Sequence, residues 1–187
     1  MSPPERDALV FDTGPLRHFA LQGWIRTLDF LAGDRRVIIP ESVERELRDQ
    51  AHTLPVLHEV LAADWIFVDR SDDLQFLSAF SRYADRLVVR DANRGECGVL
   101  ALAEVRGYEA VLDDAVPRAL ANECGLRVTA TVPLLCQALR DGRLTLEMVE
   151  KVADDLLSGE YYLPFEPGGF RRHAIENGLM DYVPTNE

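Results

Sequence analysis

Lysine is nearly absent from this chain of 187 residues, which contains Lys151 and nineteen arginines. These 20 basic residues are outnumbered by 32 acidic residues, and the formal net charge at pH 7 is −12. Such a balance excludes a protein that grips nucleic acid through its overall positive charge. It leaves open a local strip of arginines, or an acidic pocket that binds a metal ion.

Cysteine is scarce as well, and long apolar runs are missing. The chain has three cysteines, Cys97, Cys124 and Cys136. Because their number is odd and their spacing matches no zinc site, we expect them to be buried free thiols in a reducing cytoplasm. The first residues lack the basic and apolar regions of a secretory signal peptide, so we predict that the sequence has no signal peptide. No stretch approaches the about 18 apolar residues of a membrane-spanning helix. These absences together predict a cytoplasmic protein without a membrane contact.

Short apolar runs alternate with helical patterns along the first 142 residues. Strands are predicted at 8–11, 37–39, 65–68, 110–112 and 126–128. Between and after them the apolar spacing predicts helices at 16–31, from 40 onward, and at 54–63, 74–83, 96–105, 115–123 and 132–139. This alternation is typical of an α/β fold with a parallel sheet covered by helices on both faces.

The pattern changes after Gly142. A helix is predicted at 144–157, followed by a turn-rich stretch at 159–169 and a short helix at 170–179. We therefore divide the chain into a domain at 1–142 and a helical C-terminal extension at 143–187 that packs on it.

Acidic residues recur where a parallel sheet would bring them together. Asp12 follows the first strand, and Asp113 and Asp114 follow the fourth. Glu46 lies about two turns into the helix after the second strand, and Glu96 begins a helix after a loop that contains glycine. The carboxyl ends of parallel strands face one crevice, so these acids are expected to converge there. Each acid alone is typical of a helix cap or a solvated surface, and only the combination indicates a site.

Several carboxylates in one crevice repel each other, and they stay ionised at neutral pH only if a cation neutralises them. Oxygen ligands without cysteine or histidine favour Mg²⁺ or Mn²⁺ over zinc. Such a metal binds phosphate oxygens and converts water into a nucleophile. A metal that receives the phosphate would also reconcile a nucleic-acid substrate with the negative net charge.

Four segments carry a resemblance to a known family. They are LVFDTGPL at 9–16, IPESVEREL at 39–47, GECGVLALA at 95–103 and VLDDAVPRALA at 111–121. In this order and spacing they resemble the PIN-domain nucleases over roughly residues 7–140. The Asp-Asp pair followed by an arginine is similar to the toxin-like subgroup, although residues 130–133 lack the glycine more common there.

The resemblance implies a three-layer α/β/α sandwich with a central, mainly parallel sheet, and a phosphodiesterase dependent on Mg²⁺ or Mn²⁺. The implied reaction is most often endoribonuclease cleavage. Thr13 would support Asp12, and Arg118 would orient the Asp pair or contact a phosphate, unless it is a surface arginine paired with Asp114 or Glu123. Asp91 is an alternative or a helper to Glu96. The implied catalytic acids are Asp12, Glu46, Glu96, Asp113 and Asp114. The implied metal ligands are Asp12, Glu96 and one or both of Asp113 and Asp114.

Other functions stay open at this point. The chain is alternatively a non-catalytic or weakly catalytic PIN-fold protein that binds nucleic acid or has a regulatory role. The subgroup also implies a toxin whose partner is a small antitoxin protein. A homodimer through the first helices is a further expectation, with Trp24 and Phe30 as candidates for its interface or for plain core packing. Arginines expected to line the crevice rim for an RNA substrate are Arg17, Arg90, Arg94, Arg118 and Arg127.

Overall fold

Parallel strands form the central layer of the protein, whose computed structural model describes residues 7–87 and 93–181. Within these residues the sheet has five strands in the order β3-β2-β1-β4-β5, and every neighbouring pair is parallel. The strands are β1 (Ala8–Phe11), β2 (Arg36–Pro40), β3 (Ile66–Asp69), β4 (Glu109–Val111) and β5 (Val128–Thr129). The chain order switches direction at β1, which lies between β2 and β4.

Helices flank this sheet and confirm the predicted α/β/α sandwich. They are α1 (Thr13–Leu21), α2 (Ile25–Ala32), α3 (Glu41–Ala51), α4 (Leu57–Leu61), α5 (Leu74–Leu87), α6 (Arg94–Arg106), α7 (Ala115–Glu123), α8 (Thr131–Arg140), α9 (Leu146–Ser158) and α10 (Phe170–Glu176). The four residues of β1 are all buried, as expected for a strand covered on both faces. Helix α6 is buried from Cys97 to Ala103, because it packs between α5, α3 and the sheet.

One predicted helix is wrong, because the single helix expected at 16–31 is two helices. Helix α1 ends at Leu21, and α2 begins at Ile25. Gly23 between them has a φ of 73°, a left-handed conformation that glycine adopts without steric cost. The apolar spacing continues across this turn, which is why the sequence pattern concealed it.

Other boundaries differ by a few residues. Strand β4 lies one residue earlier than predicted, and β5 begins two residues later and ends one residue later. Helix α6 begins at Arg94 rather than at Glu96, while α5 continues to Leu87. The loop predicted before Glu96 lies partly outside the described residues, and Arg90 and Asp91 lie wholly outside them.

The segment after Gly142 contributes to the main core. Val149, Val152 and Leu156 of α9 are fully buried. Trp24 Nε1 donates a hydrogen bond of 2.9 Å to Asp155 Oδ2, which joins the first helices to α9. Trp24 is thus engaged within its own chain, whereas Phe30 is exposed.

The cysteines differ in their burial. Cys97 and Cys136 are buried free thiols, as predicted, but Cys124 is exposed because it caps the C-terminal end of α7 at the surface. Across 7–87 and 93–181, the helices lack the length and the apolar character that crossing a bilayer requires.

Candidate active site

Asp12 combines deep burial with an incomplete set of hydrogen bonds. It follows β1 and caps the first turn of α1, where its Oδ2 accepts a bond of 3.5 Å from the Gly14 amide. Its side chain is buried, and Oδ1 has no hydrogen-bond partner among the described residues. A buried carboxylate oxygen without a partner is costly, and an ion, a water molecule or a catalytic role accounts for such a group.

The surroundings of Asp12 oppose its ionisation. Burial raises the pKa of Asp12 to about 8, and the negative charges of Glu96 and Glu46 add to this increase. The backbone amides of Thr13 and Gly14 act in the opposite direction. Without a nearby cation, Asp12 is therefore mostly protonated at neutral pH.

Glu46 joins two helix starts. Its Oε2 accepts a bond of 2.6 Å from the Thr13 hydroxyl, and its Oε1 accepts a bond of 2.8 Å from the Gly95 amide. A Cβ atom on Gly95 would lie 2.7 Å from Glu46 Oε2, so this close approach requires glycine. The hydroxyl of Thr13 thus contacts Glu46 and not Asp12, which Thr13 supports through its backbone amide.

Glu96 lies in the first turn of α6 and faces Asp114. Both line a cavity of about 410 Å³ beside Asn93 and Leu87. Burial raises the pKa of Glu96, and the charges of Glu46 and Asp114 raise it further. Glu96 and Asp12 are therefore two acids whose protonation is coupled to the charge around them.

Asp113 accepts hydrogen bonds from three donors. Its Oδ1 accepts a bond of 2.8 Å from the Thr131 amide, and its Oδ2 accepts one of 2.6 Å from the Thr131 hydroxyl. The Tyr161 hydroxyl also donates to Oδ2. Burial and the Asp113 charge raise the pKa of Tyr161 well above its ordinary value, so this hydroxyl remains a donor. The three donors fix the Asp113 carboxylate in one orientation.

Arg118 holds the backbone that carries the Asp pair. Its Nη1 donates to the carbonyl oxygens of Leu112 at 3.4 Å and Asp113 at 2.9 Å. This contact agrees with an orienting role and contradicts the alternative of a surface pair with Asp114 or Glu123. Arg86 is the partner of Glu123 instead, at 2.7 Å.

Three of the predicted acids share one crevice, which we call the acidic crevice. It has a volume of about 270 Å³. Its lining residues are Asp12, Gly14, Pro15, His18, Asp113, Asp114, Glu160, Tyr161 and Tyr162. Asp114 also lines the cavity of Glu96, so the two spaces adjoin. Glu46 lines neither space and contacts the starts of α1 and α6.

The acidic crevice offers carboxylate oxygens as ligands, which suit a hard divalent cation. Among the described residues, Asp12 Oδ1 has no hydrogen-bond partner and is therefore available to such a cation. In the part of the chain that the structure describes, no three acid, imidazole or thiol groups already form a metal-ligand cluster. Asp12, Asp113 and Asp114 line the acidic crevice, whereas Glu96 lines the adjoining cavity.

Sequence reasoning missed three residues of this site. Thr131 is buried at the start of α8, Tyr161 comes from the C-terminal extension, and the His18 ring stacks on the Tyr161 ring with centroids 4.5 Å apart. Burial lowers the pKa of His18, which favours its neutral form. Thr131 follows a predicted strand, which was a usable signal, but no spacing pattern marks Tyr161. The prediction that Arg127 lines the crevice rim is wrong. Arg127 immediately precedes β5 and donates a hydrogen bond to the Gly107 carbonyl, at the amino-terminal ends of the strands and away from the crevice.

The fold and the acidic crevice define an α/β protein whose polar site lies at the carboxyl edge of a parallel sheet. A family model described as a PIN domain matches residues 8–166, and the chain belongs to this family. The PIN domain is a nuclease fold that typically depends on divalent metals and acts on nucleic acid. Comparisons with curated proteins and with solved structures give no match.

Proposed function

We propose that the protein is an endoribonuclease that uses Mg²⁺ or Mn²⁺. The observation that carries this proposal is Asp12 Oδ1, a buried carboxylate oxygen without a partner in a crevice that also contains Asp113 and Asp114. Asp12, Glu96, Asp113 and Asp114 would hold the metal, and Glu46 would position two of them. The raised pKa values of Asp12 and Glu96 agree with a site whose charges are balanced when a cation is present.

The metal, when bound, would polarise the scissile phosphate and acidify a water molecule. The chain supplies the geometry. Thr131 and Tyr161 fix the Asp113 carboxylate, and Glu46 ties the start of α1 to the start of α6. This tie sets the separation of Asp12 from Glu96. A bound cation would lower the pKa values of Asp12 and Glu96, because its positive charge would oppose the effects of burial and of the neighbouring carboxylates that raise them.

The test compares Asp12→Asn with the wild-type protein in Mn²⁺-dependent cleavage of single-stranded RNA. We expect the variant to lose at least about 100-fold in cleavage rate, since it removes a charge that would face the metal. Asp29→Asn is the matched control, because Asp29 is exposed on α2 and should have no effect. Full activity of Asp12→Asn would refute the site assignment. RNA binding without cleavage by the wild type would favour the non-catalytic alternative.

The toxin role, the antitoxin partner, the homodimer and the cytoplasmic location belong to this proposal as well. The toxin-like Asp-Asp segment supports the first two, and exposed apolar side chains offer surfaces for a partner. Leu74 and Leu77 lie on the same face of α5 and are 85% and 51% exposed. Growth arrest on expression, relieved by the product of a short upstream reading frame, would support the toxin role. Growth unaffected by the active nuclease would contradict it.

A further inference from the structure

A second concave surface adjoins the acidic crevice on the side of β5. This edge groove has a volume of about 520 Å³, within the range of small-ligand sites. Asp113 and Tyr162 line both the groove and the crevice, so the two spaces adjoin. A ligand in the groove would therefore lie next to the acids.

Tyr162 presents its ring to solvent because its neighbours are anchored. Tyr161, Tyr162 and Leu163 are 8%, 81% and 4% exposed, so the middle side chain alone points outward. The Tyr161 hydroxyl binds Asp113, and its ring stacks on His18, which fixes the backbone on one side. Leu163 is held in the core on the other side. The backbone that carries the exposed Tyr162 ring is thus held on both sides.

The rest of the edge groove offers groups suited to a nucleobase. Val132, Pro133 and Leu163 supply apolar contact, while the amides of Asn122 and Asn177 supply donors and acceptors. The Asn177 amide is oriented by a bond of 2.9 Å from its Nδ2 to the His173 carbonyl. Amide groups of this kind pair with the edges of unstacked bases.

Arg118 lines the edge groove next to Asp113, a residue that lines both spaces. It binds the Asp113 carbonyl through Nη1. A guanidinium has five N–H donors, so this contact leaves others able to reach a phosphate. An aromatic face, amides and an arginine beside the acids together match one nucleotide of a strand.

We propose that the edge groove is a subsite for one unpaired nucleotide of single-stranded RNA, with its base stacked on Tyr162. The inference rests on the proposed function, since it takes the acidic crevice as the place where the adjoining phosphate is cut. A base must leave its duplex to stack on a protein side chain, so the subsite selects single strands.

The test measures binding of a short, fluorescently labelled RNA to the full chain that carries Asp12→Asn, so that the RNA stays intact. We expect Tyr162→Ala to weaken binding by about 5- to 150-fold, the range that base–aromatic stacking covers. Tyr162→Phe keeps the ring and should bind like the parent. Phe30→Ala removes an aromatic side chain that is 59% exposed elsewhere and is the matched control.

A second series moves one abasic position along the RNA. One position should weaken binding to the parent and have no effect on Tyr162→Ala, because the missing base and the missing ring remove the same contact. Equal binding by the parent and Tyr162→Ala, or the same loss in Phe30→Ala, would overturn the subsite. Binding that depends on Tyr162 in a protein without Mn²⁺-dependent cleavage would refute the nuclease alone. Cleavage that is indifferent to Tyr162 would refute the subsite alone.

Discussion

Removing the charge of Asp12 should stabilise the protein while abolishing its proposed activity. The carboxyl group is buried, one of its oxygens has no partner, and two glutamates add their negative charge. Asp12→Asn keeps the shape of the side chain and removes the ionisable group. A residue selected for stability alone would not be placed there, which is the usual conflict between activity and stability at a polar site.

The size of the effect follows from the pKa of Asp12. Its value is raised from 3.8 to about 8, and each pKa unit corresponds to about 1.4 kcal/mol. At pH 7 the unfolded chain is ionised at this position and the folded protein is mostly protonated, which sets an upper bound of about 4 kcal/mol. The asparagine amide must itself find partners in the same space. We therefore expect the free energy of unfolding to rise by about 1 to 4 kcal/mol.

The assay is urea unfolding in a chelating buffer across a pH series. Because the folded pKa of Asp12 lies above the unfolded one, the folded protein binds more protons between them, and stability falls as pH rises through this window. Wild-type stability should thus decrease from about pH 4 toward pH 8, the folded pKa. Asp12→Asn should flatten this slope. Added Mg²⁺ at 100 times its dissociation constant should stabilise the wild type by about 2.7 kcal/mol and the variant by less.

The result that would refute this reasoning is a variant less stable than the wild type at pH 7 in chelator, with an unchanged pH slope. That outcome would mean that Asp12 is satisfied in the folded state and that the acids do not repel each other. Asp29→Asn serves again as the control, and its unfolding curve should match that of the wild type.

Three further changes probe the contacts around the site and the core. Tyr161→Phe removes a buried donor to a carboxylate and should lower the free energy of unfolding by about 1.5 to 3 kcal/mol. Tyr162→Phe, at an exposed position, should change the free energy of unfolding by less than about 0.5 kcal/mol. Equal effects of the two changes would contradict the anchoring role of Tyr161. Gly98→Ala would push a methyl group into the Ser42 side chain of α3 and should lower the free energy of unfolding, measured with urea, by about 1 to 3 kcal/mol. A second change, Ser42→Ala, should restore part of this stability. An unchanged stability of Gly98→Ala would show that α6 shifts freely. Cys124 should react quickly with a thiol reagent in the native state. Cys97 and Cys136 should react only on unfolding, because they are buried and burial raises their pKa values to about 11. Fast reaction of all three thiols would contradict the packing of α6 and α8.

The fold was predictable because its signals are local. Continuous apolar runs such as β1 mark strands covered on both faces, and helical spacing between them predicts parallel neighbours. The error at 16–31 arose where a glycine turn left the apolar spacing intact. The predicted strand ends also indicated that Asp12 and Asp113 would lie at the same crevice, because the topology of a parallel sheet places residues that directly follow its strands along one edge.

The partners of those acids were not predictable in the same way. Thr131 follows the short strand β5 and binds Asp113 from a neighbouring element. Tyr161 comes from a turn-rich stretch 48 residues after Asp113, and no periodic pattern specifies where such a stretch lies. Contacts of this kind depend on the path of irregular backbone, which composition and spacing do not encode locally.

The position of Tyr161 changes how the C-terminal segment should be understood. Helix α9 is joined to α1 and α2 through Trp24, and the chain then turns so that Tyr161 reaches Asp113. Glu160 adopts a left-handed φ of 61° immediately before it, a conformation unfavourable for a glutamate. This backbone cost is tolerated where it directs one tyrosine to the acids and the next to the edge groove. The segment after Gly142 therefore completes the wall between the proposed metal site and the proposed base subsite, and removing it should disturb both.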